Sequence, residues 1–263
     1  MTHKKKILYA IAFESWMLFA CSDPGQRTLS YDDNGVNANS STSSSSGLFD
    51  ERDGKTYKIV QIGDQTWMAK NLNFGTKIKG MDSASNQSDS SRVEKYCHND
   101  DDTNCNTDGG LYQWAEAMAL PFACNSDTTP NCGGTINSNH HQGICPKKWH
   151  LPKETDWNLL IGELGGLKAA GSNMKLNTTG ISAWDDSTYN KGNSFGFSAR
   201  PAGNRNENYG FNTHGINAFF WEASEKEATK AYNRYLGINN TQDFNAFNQH
   251  KLSGFSVRCV RDN

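Results

Sequence analysis

The placement of the cysteines constrains this chain more than any other feature. Apart from Cys21 there are six, and four of them form two matched brackets. CHNDDDTNC runs from Cys97 to Cys105 and CNSDTTPNC from Cys124 to Cys132, each with seven intervening residues. Both intervals are polar and rich in turn formers, so neither can bury itself, and each is expected as a stapled hairpin loop. Cys145 and Cys259 are left to pair, closing a loop of roughly a hundred residues worth about 4–5 kcal/mol in the chain-entropy picture. An even cysteine count in an exported chain argues for disulfides. The rival is a metal site joining cysteines to His98, His140, His141 or His150, but the C-x2–4-C spacing of structural zinc sites does not occur. The three aspartates of HNDDDTN, His98 to Asn104, invite Ca2+ without the ligand order of an EF-hand, and a solvated acidic loop is expected. No metal or cofactor is expected, and Ca2+ is not supported.

The first residues argue for export. MTHKKK is a basic head, ILYAIAFESWMLFA a short apolar run, and LFACS places small Ala20 before Cys21. Together they have the parts of a secretory signal, and the run is too short for a comfortable membrane span. Leu-x-Ala-Cys resembles the bacterial lipobox, in which the cysteine is lipidated, although Glu14 and Phe19 depart from that pattern. Residues 22–49 are dominated by Ser, Asn and Asp, and such a stretch cannot offset its ordering entropy. It is expected as a flexible tether with a reach of roughly 30 Å. The organisation is therefore a signal peptide at 1–20, a tether at 21–49 and one folded domain at 50–263. Ser22 after Cys21 favours the outer membrane or cell surface. The net charge of −2, with acids and bases interspersed, leaves no footprint for nucleic acid.

Within the domain, KTYKIVQIGDQTWMAKNL reads as two strands joined at Gly63-Asp64, with Tyr57, Ile59 and Gln61 on one face. In GGLYQWAEAMAL, apolar Leu111, Trp114, Ala115 and Met118 recur at helical spacing. In LPKETDWNLLIGELGG, Trp157, Leu160, Ile161 and Leu164 do so, between Pro152 and Gly165. SFGFSARP, NAFFWEAS, AYNRYLGI and GFSVRCVR read as strands, with Phe195, Phe197 and Ala199 on one face of the first. In the last, Phe255, Val257 and Cys259 turn inward and Arg258 stays on a polar face. Early strands, two middle helices and a late antiparallel group describe an α+β domain with long loops.

Catalytic motifs are scarce. There is no Gly-x-Ser-x-Gly elbow and no HExxH. Asp156 and Glu163 are expected on the outer side of the second helix, Asp185 and Asp186 in a loop, and His150 packed at the helix entrance with one hydrogen bond. A binding surface is easier to motivate. PAGNRNENYGFNTHG, Pro201 to Gly215, joins amides and a guanidinium to aromatic rings, which suits hydroxyl-bearing ligands. Asn204, Arg205, Asn206, Asn208, Tyr209 and His214 are the candidate ligand contacts. Trp184 joins them as the tryptophan expected to be exposed, while Trp67, Trp114, Trp149, Trp157 and Trp221 belong to the core. The alternative is that Tyr209 and Phe211 pin the loop while its amides satisfy its own backbone.

Several segments, taken together, resemble one family. DGKTYKIVQIGDQTWMAKNLN, GGLYQWAEAM, GICPKKWHLPKETDWNLL, GNSFGFSARPAG, FFWEAS and GFSVRCVRD occur in the order found in the Fibrobacter succinogenes major paralogous domain, over roughly residues 50–262. The resemblance implies a C-type-lectin-like fold, related to formylglycine-generating enzymes, with its termini together and with bacterial export. It implies no activity. The paired cysteines that hold copper in formylglycine-generating enzymes have no counterpart, because Cys259 stands alone in the last hundred residues. The tripeptides of calcium-dependent lectins are also missing. The expected function is a lipid-anchored envelope protein presenting a lectin-like binding or adhesion domain. Its expected partners are a membrane, through lipid on Cys21, and a glycan or surface protein. The alternatives are an exported carbohydrate-active enzyme, which is the less favoured, and a structural surface protein.

Overall fold

The computed structural model describes residues 47–263, except 83, 127–131, 133–135, 138, 177–183, 185–192 and 239–244. The signal sequence, Cys21, most of the tether, Asp185 and Asp186 lie outside the described residues. In chain order the elements begin with β1 (Leu48–Asp50), β2 (Lys55–Tyr57), β3 (Ile59–Ile62), β4 (Gln65–Met68), β5 (Thr76–Lys77) and β6 (Glu94–Lys95). There follow α1 (Asp102–Asp108), α2 (Trp114–Ala117), β7 (Trp149–His150), α3 (Glu154–Glu163) and α4 (Leu167–Met174). The last group is β8 (Asn204–Arg205), β9 (Phe211–Asn212), β10 (Asn217–Glu227), β11 (Lys230–Gly237), β12 (Asn245–His250) and β13 (Val260–Arg261).

Two sheets organise this α+β domain. One has the order β3-β4-β13-β7 and the other β10-β11-β12. The first contains the expected hairpin, with Ile62 opposite Gln65 around Gly63. Gly63 sits at φ +54°, and a Cβ there would also meet the Glu163 side chain at 2.6 Å, so both backbone and space call for glycine. The longer alternating strand expected before that turn is broken at Lys58. Tyr57 belongs to the β1–β2 pair, and Ile59 begins the pairing with β4.

Every residue of β4 is buried, because its two faces feed two different cores. Trp67 packs with Trp157, Phe197 and Phe220, its ring 4.7 Å from that of Trp157. Met68 points the other way, toward Trp114, Trp149, Trp221 and Phe255. Val260 and Cys259, and Phe220 and Trp221, divide between the cores in the same way. The five tryptophans assigned to the core are all buried. Trp184 is the exception to expectation. It is 2 % exposed, its indole donates to the Ala199 carbonyl at 3.0 Å, and Lys175 lies 4.8 Å over its ring.

Helix α3 matches its periodicity, with Trp157, Leu160 and Ile161 buried and Gly165 and Gly166 at positive φ ending it. The helix expected over residues 109–120 shrinks to the single turn α2. Leu111 and Tyr112 form bridges to Tyr96 and Phe255 instead. Residues 109–115 are buried in succession, so the polar face that would make a helix amphipathic is absent there.

The pairs Cys97–Cys105, Cys124–Cys132 and Cys145–Cys259 are disulfides. The first encloses the start of α1 rather than a hairpin, and the Asp101 carboxylate accepts from the Thr103 amide as its N-cap. The interval between Cys124 and Cys132 lies largely outside the described residues.

SFGFSARP is not a strand. Gly196 and Ser198 have positive φ, and Phe195 is 39 % exposed while Phe197 and Ala199 are buried. The cause is Arg258. Expected on a polar face, it is fully buried among five hydrogen bonds. Its Nη1 donates to the Phe197 carbonyl at 2.5 Å and the Met68 carbonyl at 3.0 Å. Nη2 and Nε both reach Asn71 Oδ1, at 2.7 and 3.0 Å, and Nη2 also reaches the Ser198 carbonyl at 3.4 Å. Carbonyls turned toward a guanidinium cannot serve a strand ladder. Phe255, Val257 and Cys259 are buried as well, so both faces of this segment are interior.

Candidate functional site

The Asn-rich loop is a built structure. Asn204 pairs with Asn212, and Arg205 with Phe211, making the hairpin β8–β9. Asn206 organises its turn. Its Oδ1 accepts from the amides of Asn208 (3.0 Å) and Gly210 (2.9 Å), and its own amide donates to the Gly210 carbonyl. The Asn204 amide oxygen accepts from the Thr213 hydroxyl. Arg205 is fully buried, donates through Nε to the Gly80 carbonyl at 2.7 Å, and lies between the rings of Tyr96 and Tyr209. Arg205, Asn204 and Asn206 therefore hold the loop, and Trp184 is in the core. Buried Arg205 and Trp184 are therefore not ligand contacts, while half-buried Asn204 and Asn206 spend their side-chain oxygens on the loop itself. Asn208 is exposed at the tip, beside Tyr209 at φ +70°.

His214 has a different task. Its Nε2 lies 2.7 Å from Asp108 Oδ2, and its ring stacks on His98 at 4.7 Å. Arg200 Nε binds the other Asp108 oxygen at 2.5 Å. Burial works against ionisation of Asp108, but the hydrogen bonds from His214 and Arg200 outweigh it and hold the carboxyl below its ordinary value. Burial, and then repulsion from His214, lowers His98. The network clamps the hairpin to the end of α1.

An aromatic row begins where the loop ends. Phe219, Tyr235 and Phe247 share one face of the β10-β11-β12 sheet. Phe255 stacks on Phe219 at 4.9 Å, Phe219 meets Tyr235 at 5.2 Å, and Phe247 meets Tyr235 edge-on at 5.7 Å. The row climbs from the buried core to Phe247, which is 45 % exposed. Asn217 joins it to the loop. Its Oδ1 accepts from the Tyr235 hydroxyl, and its backbone carbonyl accepts from the Gly203 amide. Phe247 lay outside the strands read from the sequence, so the row was missed there. The one available signal was the apolar Phe244 and Phe247 inside an Asn/Gln-rich stretch.

A second concavity, of about 440 Å3, was also missed. Residues 87–93, Glu116, Leu120, Phe122 and Ile144 line it. Glu116 Oε1 accepts from the Glu94 amide at 2.7 Å, and burial raises its carboxyl to about 7 against that bond. Glu94 is buried with Arg92 Nη2 and the amides of Ser88 and Asp89 around its carboxylate. Glu116, with its carboxyl raised by burial to about 7, therefore stands at a cleft.

Comparison with protein families matches residues 60–261 to the Fibrobacter succinogenes major domain. No curated protein and no solved structure matches the chain.

Proposed function

On the premise that this chain belongs to the Fibrobacter succinogenes major domain family, we propose that it is an exported, lipid-anchored binding protein whose ligand is a glycan. The observation that carries the reading is the aromatic row ending at exposed Phe247, joined through Asn217 to an amide-rich hairpin. Flat rings take up the apolar face of a sugar, and fixed amides address its hydroxyls. A scaffold clamped by disulfides and by the Asp108 network offers such a surface with little ordering cost on binding. The C-type-lectin-like reading is supported by the sheet in which β13 lies between β4 and β7, so that early and late segments meet. Three disulfides support export, since such bonds persist in oxidising compartments. Lipidation of Cys21 rests on the sequence alone.

A glycan array with the wild type, Phe247→Ala and Asn208→Ala tests the reading. Phe247 is exposed, so its loss leaves the core intact, and binding should fall by about tenfold or more, equivalent to about 1.4 kcal/mol. Absence of any bound glycan, or binding untouched by Phe247→Ala, would turn the reading toward a structural surface protein. Mass spectrometry of the mature N-terminus, with and without an inhibitor of lipoprotein signal peptidase, tests the anchor. A second reading, an exported carbohydrate-active enzyme, is favoured by Glu116 at its cleft, since an acid titrating near neutrality suits proton transfer to a glycosidic oxygen. Turnover of oligosaccharides abolished in Glu116→Gln would select it.

A further inference from the structure

We infer that His140, His150 and Asp262 form a binding site for a divalent transition metal of the zinc class. One ligand atom from each lies within 4.8 Å of the other two. His150 Nδ1 is 2.7 Å from Asp262 Oδ1, and the His140 and His150 rings lie 4.4 Å apart. Tetrahedral coordination with bonds of 2.0–2.1 Å sets neighbouring ligand atoms about 3.3 Å apart. A small rotation of exposed His140 closes the gap, and the shorter His–Asp contact opens as the ion enters.

The surroundings fit such an ion. His150 is only 3 % exposed, which fixes its ring, and its far nitrogen Nε2 has no well-aligned hydrogen bond. That nitrogen lies 3.4 Å from Asp156 Oδ2, whose carboxylate is held in turn by the Lys153 amide at the start of α3. A carboxylate behind a ligating histidine directs the proton to the outer nitrogen and leaves the inner lone pair for the metal. Asp156, expected on the outer side of its helix, thus turns back beneath His150. Two neutral imidazoles and one carboxylate, with a second carboxylate behind, balance a dication. All six cysteines of the domain are in disulfides, so none competes. Three protein ligands leave a fourth position for water, as in open zinc sites. The site ties the segment after β13 to β7 and to the chain before it, next to the Cys145–Cys259 bond.

The test uses the mature chain without a histidine tag. Co2+ titration should give the visible bands of tetrahedral coordination at one equivalent, displaced by Zn2+, with calorimetry giving the Zn2+ affinity. His140→Ala and Asp262→Asn should each weaken binding by more than about 100-fold. Asp156→Asn should weaken it by about 10–100-fold through the outer carboxylate. His214→Ala should change nothing. Circular dichroism checks that every variant is folded, and His140 is exposed enough for its replacement to be harmless. Failure of the folded wild type to bind Co2+ or Zn2+, or binding that survives both His140→Ala and Asp262→Asn, overturns the inference.

Discussion

Arg258 is a full positive charge in the middle of the domain with no carboxylate among the four acceptors of its five hydrogen bonds. Burial pushes its guanidinium down to about 9, which leaves it charged at neutral pH. Carbonyl dipoles, the Asn71 amide and the faces of Phe197 (4.5 Å) and Phe220 (5.5 Å) replace its water. Arg258→Met keeps the bulk and removes the charge. It relieves a desolvation cost of several kcal/mol but orphans Asn71 Oδ1 and strands the Phe197 carbonyl, each at about 1–3 kcal/mol, besides the other bonds lost. The expected net loss is about 2–4 kcal/mol. Arg258→Lys keeps the charge but cannot span Asn71 and three carbonyls with one ammonium, and should lose about 1–3 kcal/mol. Asn71→Leu combined with Arg258→Met should cost at least about 1 kcal/mol less than the sum of the single changes, because neither partner is then left orphaned. Urea unfolding followed by tryptophan fluorescence reads these values. If Arg258→Met is as stable as the wild type, or the two changes are additive, the guanidinium does not organise the core as argued.

Replacing Cys145 and Cys259 together by alanine should cost about 4–5 kcal/mol for a closed span of 114 residues, against about 2–3 kcal/mol for Cys97 and Cys105 with a span of 8, by thermal unfolding without reductant. The reverse ranking would contradict the assignment of the long bond as the main clasp. Glu116 titrates near 4.5 when unfolded and about 7 when folded, so between those values the folded chain holds the extra proton and stability falls as pH rises. Allowing for its partial contact with water, the fall is about 1–2 kcal/mol, and Glu116→Gln should flatten it in urea titrations across that range. Trp184→Ala should cost about 3–5 kcal/mol as a core truncation, whereas a surface tryptophan would cost less than about 0.5 kcal/mol in the same unfolding measurement.

What could be read from the sequence was set by local chemistry. Matched cysteine spacing, the Gly63 turn and the period of α3 each depend on neighbours a few residues apart, and each is present in the fold. Family membership was readable because CPKKWHLP and GFSVRCVR are specific runs. Arg258 defeated the reading because a polar residue in an alternating strand is ordinarily placed outside, and Arg205 because a guanidinium in an Asn-rich loop is ordinarily solvated. Their partners, Asn71 and the Gly80 carbonyl, come from distant parts of the chain that no local pattern reveals. Trp184 was misplaced for a related reason. Its neighbours WDDS look like a surface turn, while its partner Ala199 comes later in the chain. The aromatic row and the His140–His150–Asp262 cluster exist only through strand pairing and chain return.

Strand β13 bears on how this domain can arise and spread. Val260 pairs with Trp67 on one side and His150 on the other, so the middle of the sheet comes from the far end of the domain's own sequence. Such contact order slows folding. The β3–β4 hairpin keeps an open edge until the final strand arrives, and no early fragment owns a finished core. The smallest piece that can be copied, fused to another protein or moved between genes and still fold is the whole domain.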